Sequence, residues 1–221
     1  MEGIYAIYKP VGMTSHDVIH KLRQATHIQR IGHAGTLDPR AEGVLVVAIG
    51  RQYTKQLTQL ILKDKEYFAD VTFGAFSSTD DSEGEKNIMK VEKIPSISKV
   101  SKCLLSFKGE IYLRPPAFSA IKIQGKRAYA IARKGKPVKL DKRKSQIFEI
   151  ELIRYLWPHL RFRVVTGSGV YVRSIAHALG EALGCGGYVE KLERTRVGAF
   201  TKINSANLDF FIQTIKNSSE K

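Results

Sequence analysis

A chain of 221 residues with 43% hydrophobic content can build one large domain or two small ones around a substantial core. Its 36 basic and 21 acidic residues leave a formal charge of +15, which points to a polyanionic partner because neutralised phosphates release condensed counterions, although a solvated basic surface gives the same count. No apolar run reaches the roughly 18 residues of a membrane span, Met1-Glu2-Gly3-Ile4 lacks a signal-peptide pattern, and the distant Cys103 and Cys185 support neither a disulfide framework nor a cysteine zinc site, so a reducing cytoplasm is expected.

In chain order, Ile4 to Tyr8 reads as a short buried strand ended by Lys9-Pro10 and Gly12. Ser15 suits a helix N-cap, since Val18, Ile19 and Leu22 then share one face. The apolar run Val44 to Ile49 predicts a central strand buried on both sides. Tyr67, Ala69, Val71 and Phe73 alternate with Phe68, Asp70 and Thr72, the period of a strand. Ser77 to Asn87 is a polar, acidic loop, and a helix is expected around Ile97 to Phe107. Ser145 to Arg154 and Leu160 to Thr166 read as strands joined near Trp157-Pro158-His159. A helix follows from about Tyr171 to Leu183, stopped by Gly184, and a last strand covers Val189 to Val197. Asn217 to Lys221 reads as a frayed end. Strands and helices mix without steady β-α-β alternation, which predicts an α+β fold on a mixed or mainly antiparallel sheet. No glycine-rich phosphate loop joins a first strand to a first helix, which argues against a dinucleotide fold.

The densest cluster of unusual residues is Gly32-His33-Ala34-Gly35-Thr36-Leu37-Asp38-Pro39-Arg40-Ala41-Glu42-Gly43. Pro39 pushes Asp38 toward an extended conformation, so a carboxylate just before a buried strand is projected from a rigid base; equally, Asp38 can serve as the cap of a turn. His33 titrates near neutrality and suits a general base, but no partner stands at a metal-ligand spacing.

This segment resembles the signature of the bacterial tRNA pseudouridine-55 synthases, the TruB family, and other stretches resemble the same family in the same order. They are Lys9-Pro10-Val11-Gly12-Met13-Thr14-Ser15, Lys65-Glu66-Tyr67, the acidic loop with Asp81, and Arg114-Pro115-Pro116-Ala117-Phe118-Ser119-Ala120 with Gly125-Lys126-Arg127-Ala128-Tyr129. Gly169-Val170-Tyr171-Val172-Arg173-Ser174 and Leu192-Glu193-Arg194-Thr195-Arg196-Val197-Gly198 complete a series over roughly residues 3 to 200. The resemblance implies a pseudouridine synthase fold, with helices flanking the central sheet and an RNA-gripping insertion at about 113–144. It implies a catalytic domain over 1–210 and a tail over 211–221; many family members carry an extra C-terminal RNA-binding domain, and this chain is expected to depart from them in lacking it. It further implies isomerisation of uridine 55 in the T-arm of tRNA by a monomer, without cofactor or metal. Asp38 resembles the family nucleophile, acting at uracil C6 or through a glycal route, and Arg173 the arginine that pairs with it. Tyr67 resembles the tyrosine under the target base, Tyr171 and Leu192 pocket positions, and His33 the side chain that fills the space of the flipped base. The competing readings are a structural arginine at a helix start for Arg173, a strand aromatic in the core for Tyr67 and apolar core packing for Leu192.

Between Lys122 and Lys144 stand Lys126, Arg127, Arg133, Lys134, Lys136, Lys139, Lys142 and Arg143, with Tyr129 among them and Asp141 the lone acid. Cations interleaved with an aromatic suit a segment that tracks phosphates and touches a base, expected here as a mobile clamp; a solvated charge run is the alternative. An RNA-binding folding factor without turnover and a guide-directed synthase of ribosomal RNA are the competing functions.

Overall fold

The structure, a computed structural model, describes residues 2–138 and 140–219; Lys139 of the basic insertion lies outside them. The elements run β1 (Gly3–Lys9), α1 (Ser15–Thr26), β2 (Ile31–His33), β3 (Ala41–Ile49), α2 (Arg51–Thr54), α3 (Leu57–Ile61), β4 (Lys65–Phe73), β5 (Ala75–Ser77), β6 (Lys86–Ile88) and α4 (Ile97–Leu105). They continue with β7 (Gly109–Leu113), β8 (Lys122–Ile123), β9 (Lys126–Arg127), α5 (Ala128–Ala132), β10 (Arg143–Leu156), β11 (His159–Thr166), α6 (Val172–Leu183), β12 (Gly187–Val197), β13 (Phe200–Thr201), β14 (Ala206–Asn207) and α7 (Leu208–Ser219). The chain divides into unit 1, residues 1–68 with 192–221, and unit 2, residues 69–191.

Unit 1 is organised by β3. One edge of β3 pairs antiparallel with β1 along its length, from Gly3↔Ile49 to Lys9↔Gly43. The opposite edge is shared, antiparallel to β2 at residues 47–49 and parallel to β12 at residues 41–43. β14 extends β1 in parallel, and β13 pairs antiparallel with β12. The expectation of a strand buried on both sides holds. Leu45, Val47 and Ile49 pack with Ile7 of β1, with Val18 and Leu22 of α1 and with Leu208, Phe211 and Ile215 of α7. Val44 and Val46 face the other way, toward Ala6, Ala34, Val197 and Leu57. Residues 211–219, expected to be a tail, therefore form most of a helix whose Phe211 and Ile215 are core; Glu220 and Lys221 lie outside the described residues.

The N-cap of α1 is Thr14, not Ser15. Thr14 Oγ1 accepts from the Asp17 amide while the Asp17 carboxylate accepts from the Thr14 amide, a reciprocal capping box. Ser15 is buried and used elsewhere, as described below.

In unit 2, β10 is antiparallel to both β11 and β7. The alternation of β4 is borne out, with Tyr67, Ala69, Val71 and Phe73 buried. Helix α4 packs on β10 and on α6. Gly184 ends α6 in the left-handed conformation (φ 71°), which a side chain would resist. The acidic stretch read as one loop is shorter than expected, because Ser77 closes β5 and Lys86 opens β6, an antiparallel hairpin. The basic insertion, too, carries structure: β8 and β9 form a hairpin, and α5 follows with Ala128 fully buried. No helix among the described residues is long and apolar enough to cross a membrane.

Candidate active site

The shared edge of β3 explains how Asp38 is presented. β2 leaves that edge after His33, β12 joins it only at residues 41–43, and residues 34–40 bow out between them. Two carbonyls of β3 in this gap take other donors: Val46 O accepts from the Ala34 amide at 2.8 Å, and Val44 O accepts from Arg194 Nε at 2.8 Å. Arg194, 1% exposed, also donates from Nη2 to Gly35 O (2.9 Å) and from Nη1 to Thr36 O (3.5 Å). Its guanidinium thus replaces a missing strand and ties the bowed loop to the sheet. Gly43 makes this possible, since a Cβ there would lie 2.2 Å from the Arg194 carbonyl oxygen.

The residue before Asp38 is fixed from both sides by one hydroxyl. Ser15 Oγ accepts from the Leu37 amide (2.9 Å) and donates to the Leu37 carbonyl (3.1 Å), with Leu37 itself buried. The Pro39 carbonyl accepts from the Gly12 amide, and the Asp38 carbonyl from the Ala41 amide. Asp38 therefore sits, half-buried, on a loop whose neighbours on either side are bound to other parts of unit 1.

Two further buried cations surround this loop. Lys9 is fully buried, its Nζ donating to the carbonyls of Pro10 (2.8 Å) and Met13 (2.6 Å). Burial pushes its ammonium down to about 8, and the charge of Asp38 pulls in the opposite direction. Lys65 donates to Ile61 O and Lys63 O, and burial with the charge of Arg194 also brings it to about 8. Among the described residues, Lys9, Lys65 and Arg194 make their hydrogen bonds to backbone carbonyls, and no carboxylate stands within ion-pair distance of them.

His33 closes β2 opposite Val47. Burial, then Arg194, then His16 hold its imidazole below the ordinary histidine value, and its Nδ1 is buried with no hydrogen-bond partner among the described residues. A neutral ring agrees better with stacking than with a charged role. Tyr67 is buried on β4, on the strand face opposite Glu66, whose carboxylate accepts from Thr195 Oγ1. Leu192 lies beside Ala41 in the β12–β3 pairing, half-buried. His33, Asp38, Tyr67 and Leu192 all belong to unit 1.

Unit 2 carries the remaining candidates. Tyr171 is the N-cap residue of α6, without a side-chain cap bond. Arg173 is 4% exposed and donates to Thr79 O (2.9 Å) and Phe118 O (3.0 Å), with Asp81 Oδ2 at 3.6 Å. It thereby joins α6 to the acidic loop and to the start of the insertion. In the insertion Lys126 and Arg127 are exposed on β9, and Tyr129 is the second residue of α5, with the Arg133 guanidinium 5.5 Å from its ring centre. The Tyr129 amide donates to Ser119 O and the Ala128 amide to Ile121 O, which ties the helix back onto the hairpin. Among the described residues no cluster of three His, Cys, Asp or Glu stands together to hold a metal ion.

The sequence reading missed Lys9, Ser15, Lys65 and Arg194 as parts of the site. They lie within the quoted motifs, but their chemistry depends on which carbonyls the fold brings to them.

A family model of the TruB pseudouridylate synthase N-terminal domain matches residues 23–172, and one of the tRNA pseudouridylate synthase B C-terminal domain matches residues 173–220. The chain belongs to the TruB family. Members of this family are isomerases. The tRNA pseudouridine synthase B of Protochlamydia amoebophila is 42% identical over 207 residues, 94% of this chain and 78% of that one. The protein of the same name from Chlamydia trachomatis serovar L2 is 42% identical over 202 residues, 91% of this chain and 83% of the other. Among solved structures, a chain of a Cbf5-Nop10-Gar1 complex is 29% identical with a TM-score of 0.74, matching 96% of this chain and 54% of its own. This chain thus spans about half the length of that solved relative. The α+β pseudouridine synthase fold expected of a TruB-like sequence is the fold observed.

Proposed function

We propose that this chain converts uridine 55 in the T-loop of tRNA to pseudouridine, with Asp38 as nucleophile toward a nucleotide flipped out of its stack. The observation that carries the reading is the mounting of Asp38: a carboxylate on a loop pinned by Ser15 and Arg194, in the field of the buried Lys9 ammonium. A positive charge beside a half-buried carboxylate favours its ionised, nucleophilic form. Membership of the TruB family, and relatives named tRNA pseudouridine synthase B, supply the substrate class.

The reaction balances without a redox partner. The bond from ribose C1′ to uracil N1 breaks with its electron pair going to N1, the base turns, and C5 bonds to C1′. C5 then loses its proton and N1 gains one, so product and substrate are isomers. Tyr67 is assigned to the face of the base and to removal of the C5 proton. Tyr171 and Leu192 are assigned to the pocket wall, Arg173 keeps the role that the family resemblance implies, and His33 is assigned to the place vacated by the flipped base. Lys126, Arg127 and Tyr129 are assigned to the tRNA backbone and an exposed base, in line with the charge of +15. A monomer acting in the cytoplasm is part of the same proposal.

The test is incubation of the protein with an unmodified tRNA transcript, followed by chemical mapping of pseudouridine. Pseudouridine is expected at position 55, and Asp38→Asn is expected to abolish product while retaining tRNA binding. Product formed by the Asn variant, or modification confined to another position, would refute the assignment.

A further inference from the structure

Helix α6 grips the acidic loop through two side chains one helical turn apart. Arg173 takes the Thr79 carbonyl and faces the Asp81 carboxylate, while His177 places Nδ1 at 2.7 Å from Asp80 Oδ1. Three consecutive residues, Thr79, Asp80 and Asp81, are therefore fastened to one helix face, as the i, i+4 spacing of Arg173 and His177 allows. The middle one has an uncommon backbone: Asp80 has φ 61°, in the left-handed region that glycine enters freely and, among other residues, chiefly asparagine and aspartate occupy. Its amide donates to Ser77 O and its carbonyl accepts from the Val189 amide, so this unusual geometry is held at the backbone and at the side chain.

We propose that His177 is a positioning residue for Arg173: its pairing with Asp80 holds the turn that supplies Arg173 with its carbonyl and carboxylate partners. The inference rests on the role proposed for Arg173 in pseudouridine formation. Nothing in the family motifs quoted above includes residue 177.

The charge of the imidazole makes this support dependent on pH. The groups facing it are Asp80 from the loop, Glu181 from its own helix with an oxygen 3.5 Å from Nε2, and the Phe76 ring of β5 with centroids 4.7 Å apart. Beyond these stand the Arg173–Asp81 pair and Lys86, whose Nζ donates to the carbonyls of Asp81, Ser82 and Gly84. The hydrogen bond to Asp80, then the charges of Asp80 and Glu181, raise His177 above its ordinary 6.5, against the effect of burial. A histidine with a raised folded value contributes fully below its unfolded value and loses that contribution as pH rises through the folded one. Arg173 is therefore best supported below the ordinary histidine value and loses that support as pH rises through the raised one.

The decisive measurement is the single-turnover rate on tRNA as a function of pH for wild type, His177→Gln and Asp80→Asn. Asparagine tolerates the left-handed conformation, so Asp80→Asn removes the charge from the other side of the pair while keeping the turn. Near pH 6 each variant is expected to be about tenfold slower than wild type, the loss of one charge-assisted hydrogen bond, and the ratio is expected to approach one once the pH has risen through the raised His177 value. A ratio that stays constant across pH, or stays at one, overturns the inference. A second readout needs neither catalysis nor a variant: NMR titration of wild-type His177 together with the Nε–H signal of Arg173. Both are expected to share one midpoint above 6.5, and an Arg173 signal indifferent to the His177 midpoint overturns the inference. Absence of pseudouridine in the wild-type assay refutes the proposed function alone, because the NMR outcome stands independently.

Discussion

In unit 1 the buried cations Arg194, Lys9 and Lys65 are held by backbone carbonyls, whereas in unit 2 the buried Arg173 is held by two carbonyls and the carboxylate of Asp81. The difference separates two uses of a buried charge. Carbonyl oxygens satisfy the donors without cancelling the charge, so the positive field survives at the Asp38 loop. A carboxylate fixes a guanidinium and offsets its charge at the same time, so Arg173 is placed more than it is left as a free source of field. Unit 1 thus places carbonyl-bound cations around the Asp38 loop, and in unit 2 an acidic loop fixes the position of one arginine.

The largest effect is expected from Arg194→Met, which leaves the carbonyls of Gly35, Thr36 and Val44 without their donor. A loss of about 3–5 kcal/mol in urea unfolding is expected, because three carbonyls lose their donor at about 1–3 kcal/mol for each one left buried and unsatisfied, with at least about a hundredfold loss of single-turnover rate in the variant that remains folded. Arg194→Lys should recover part of the stability and little of the rate, since an ammonium cannot span the fork of carbonyls. Wild-type behaviour from the Met variant would erase the contrast between the units.

A smaller effect is expected from Asp81→Asn, because Arg173 keeps its bonds to Thr79 O and Phe118 O. The rate should fall by about tenfold with tRNA affinity unchanged, read as kcat against KM. Equal damage from Asp81→Asn and Arg194→Met would mean that the carboxylate, not the carbonyls, carries the support for Arg173.

A separate test, read as a slope and not as a rate, is the pH dependence of stability. Lys9 and Lys65 have folded values near 8, below the ordinary 10.5, so between these limits the unfolded chain binds more protons than the folded one. Stability from these two groups should therefore rise with pH across about 8 to 10.5. Urea titrations of Lys9→Met and Lys65→Met should show a shallower rise than wild type; an identical slope would place the two ammonium groups in contact with water. The least effect on chemistry is expected from Lys126→Ala with Arg127→Ala, exposed on β9. Binding to tRNA should weaken at every step of a salt series and the logarithmic slope should drop by about two, with the rate at saturation unchanged.

Much of the molecule was legible in residue order. The double burial of Val44 to Ile49, the alternation from Tyr67 to Phe73 and the Gly184 stop all follow from periodicity and backbone freedom, and the structure keeps them. The ordered motifs also led to the family. Less legible were short pairings such as β2 with β3 or β8 with β9, which are too brief to leave a period. The N-cap was misread by one residue because Thr14 and Ser15 are both good caps, and only the demand of Leu37 for a partner decides between them. The end of the chain read as a tail because Phe211 and Ile215 signal burial only once a face is available to receive them.

The sequence by itself determined the class of fold, the basic character of the surface and the candidate aspartate, since composition, period and motif are properties of the chain read along its length. What holds that aspartate was decided by tertiary structure. Arg194 is 150 residues from Val44 and acquires its meaning from a carbonyl that becomes available only where β2 and β12 leave β3 partly uncovered, while Lys9 is bound by the nearby carbonyls of Pro10 and Met13 and meets the charge of Asp38 only through the fold. A hydrogen-bond acceptor carried by every residue has no signature in sequence; its vacancy in a sheet does, but only in three dimensions.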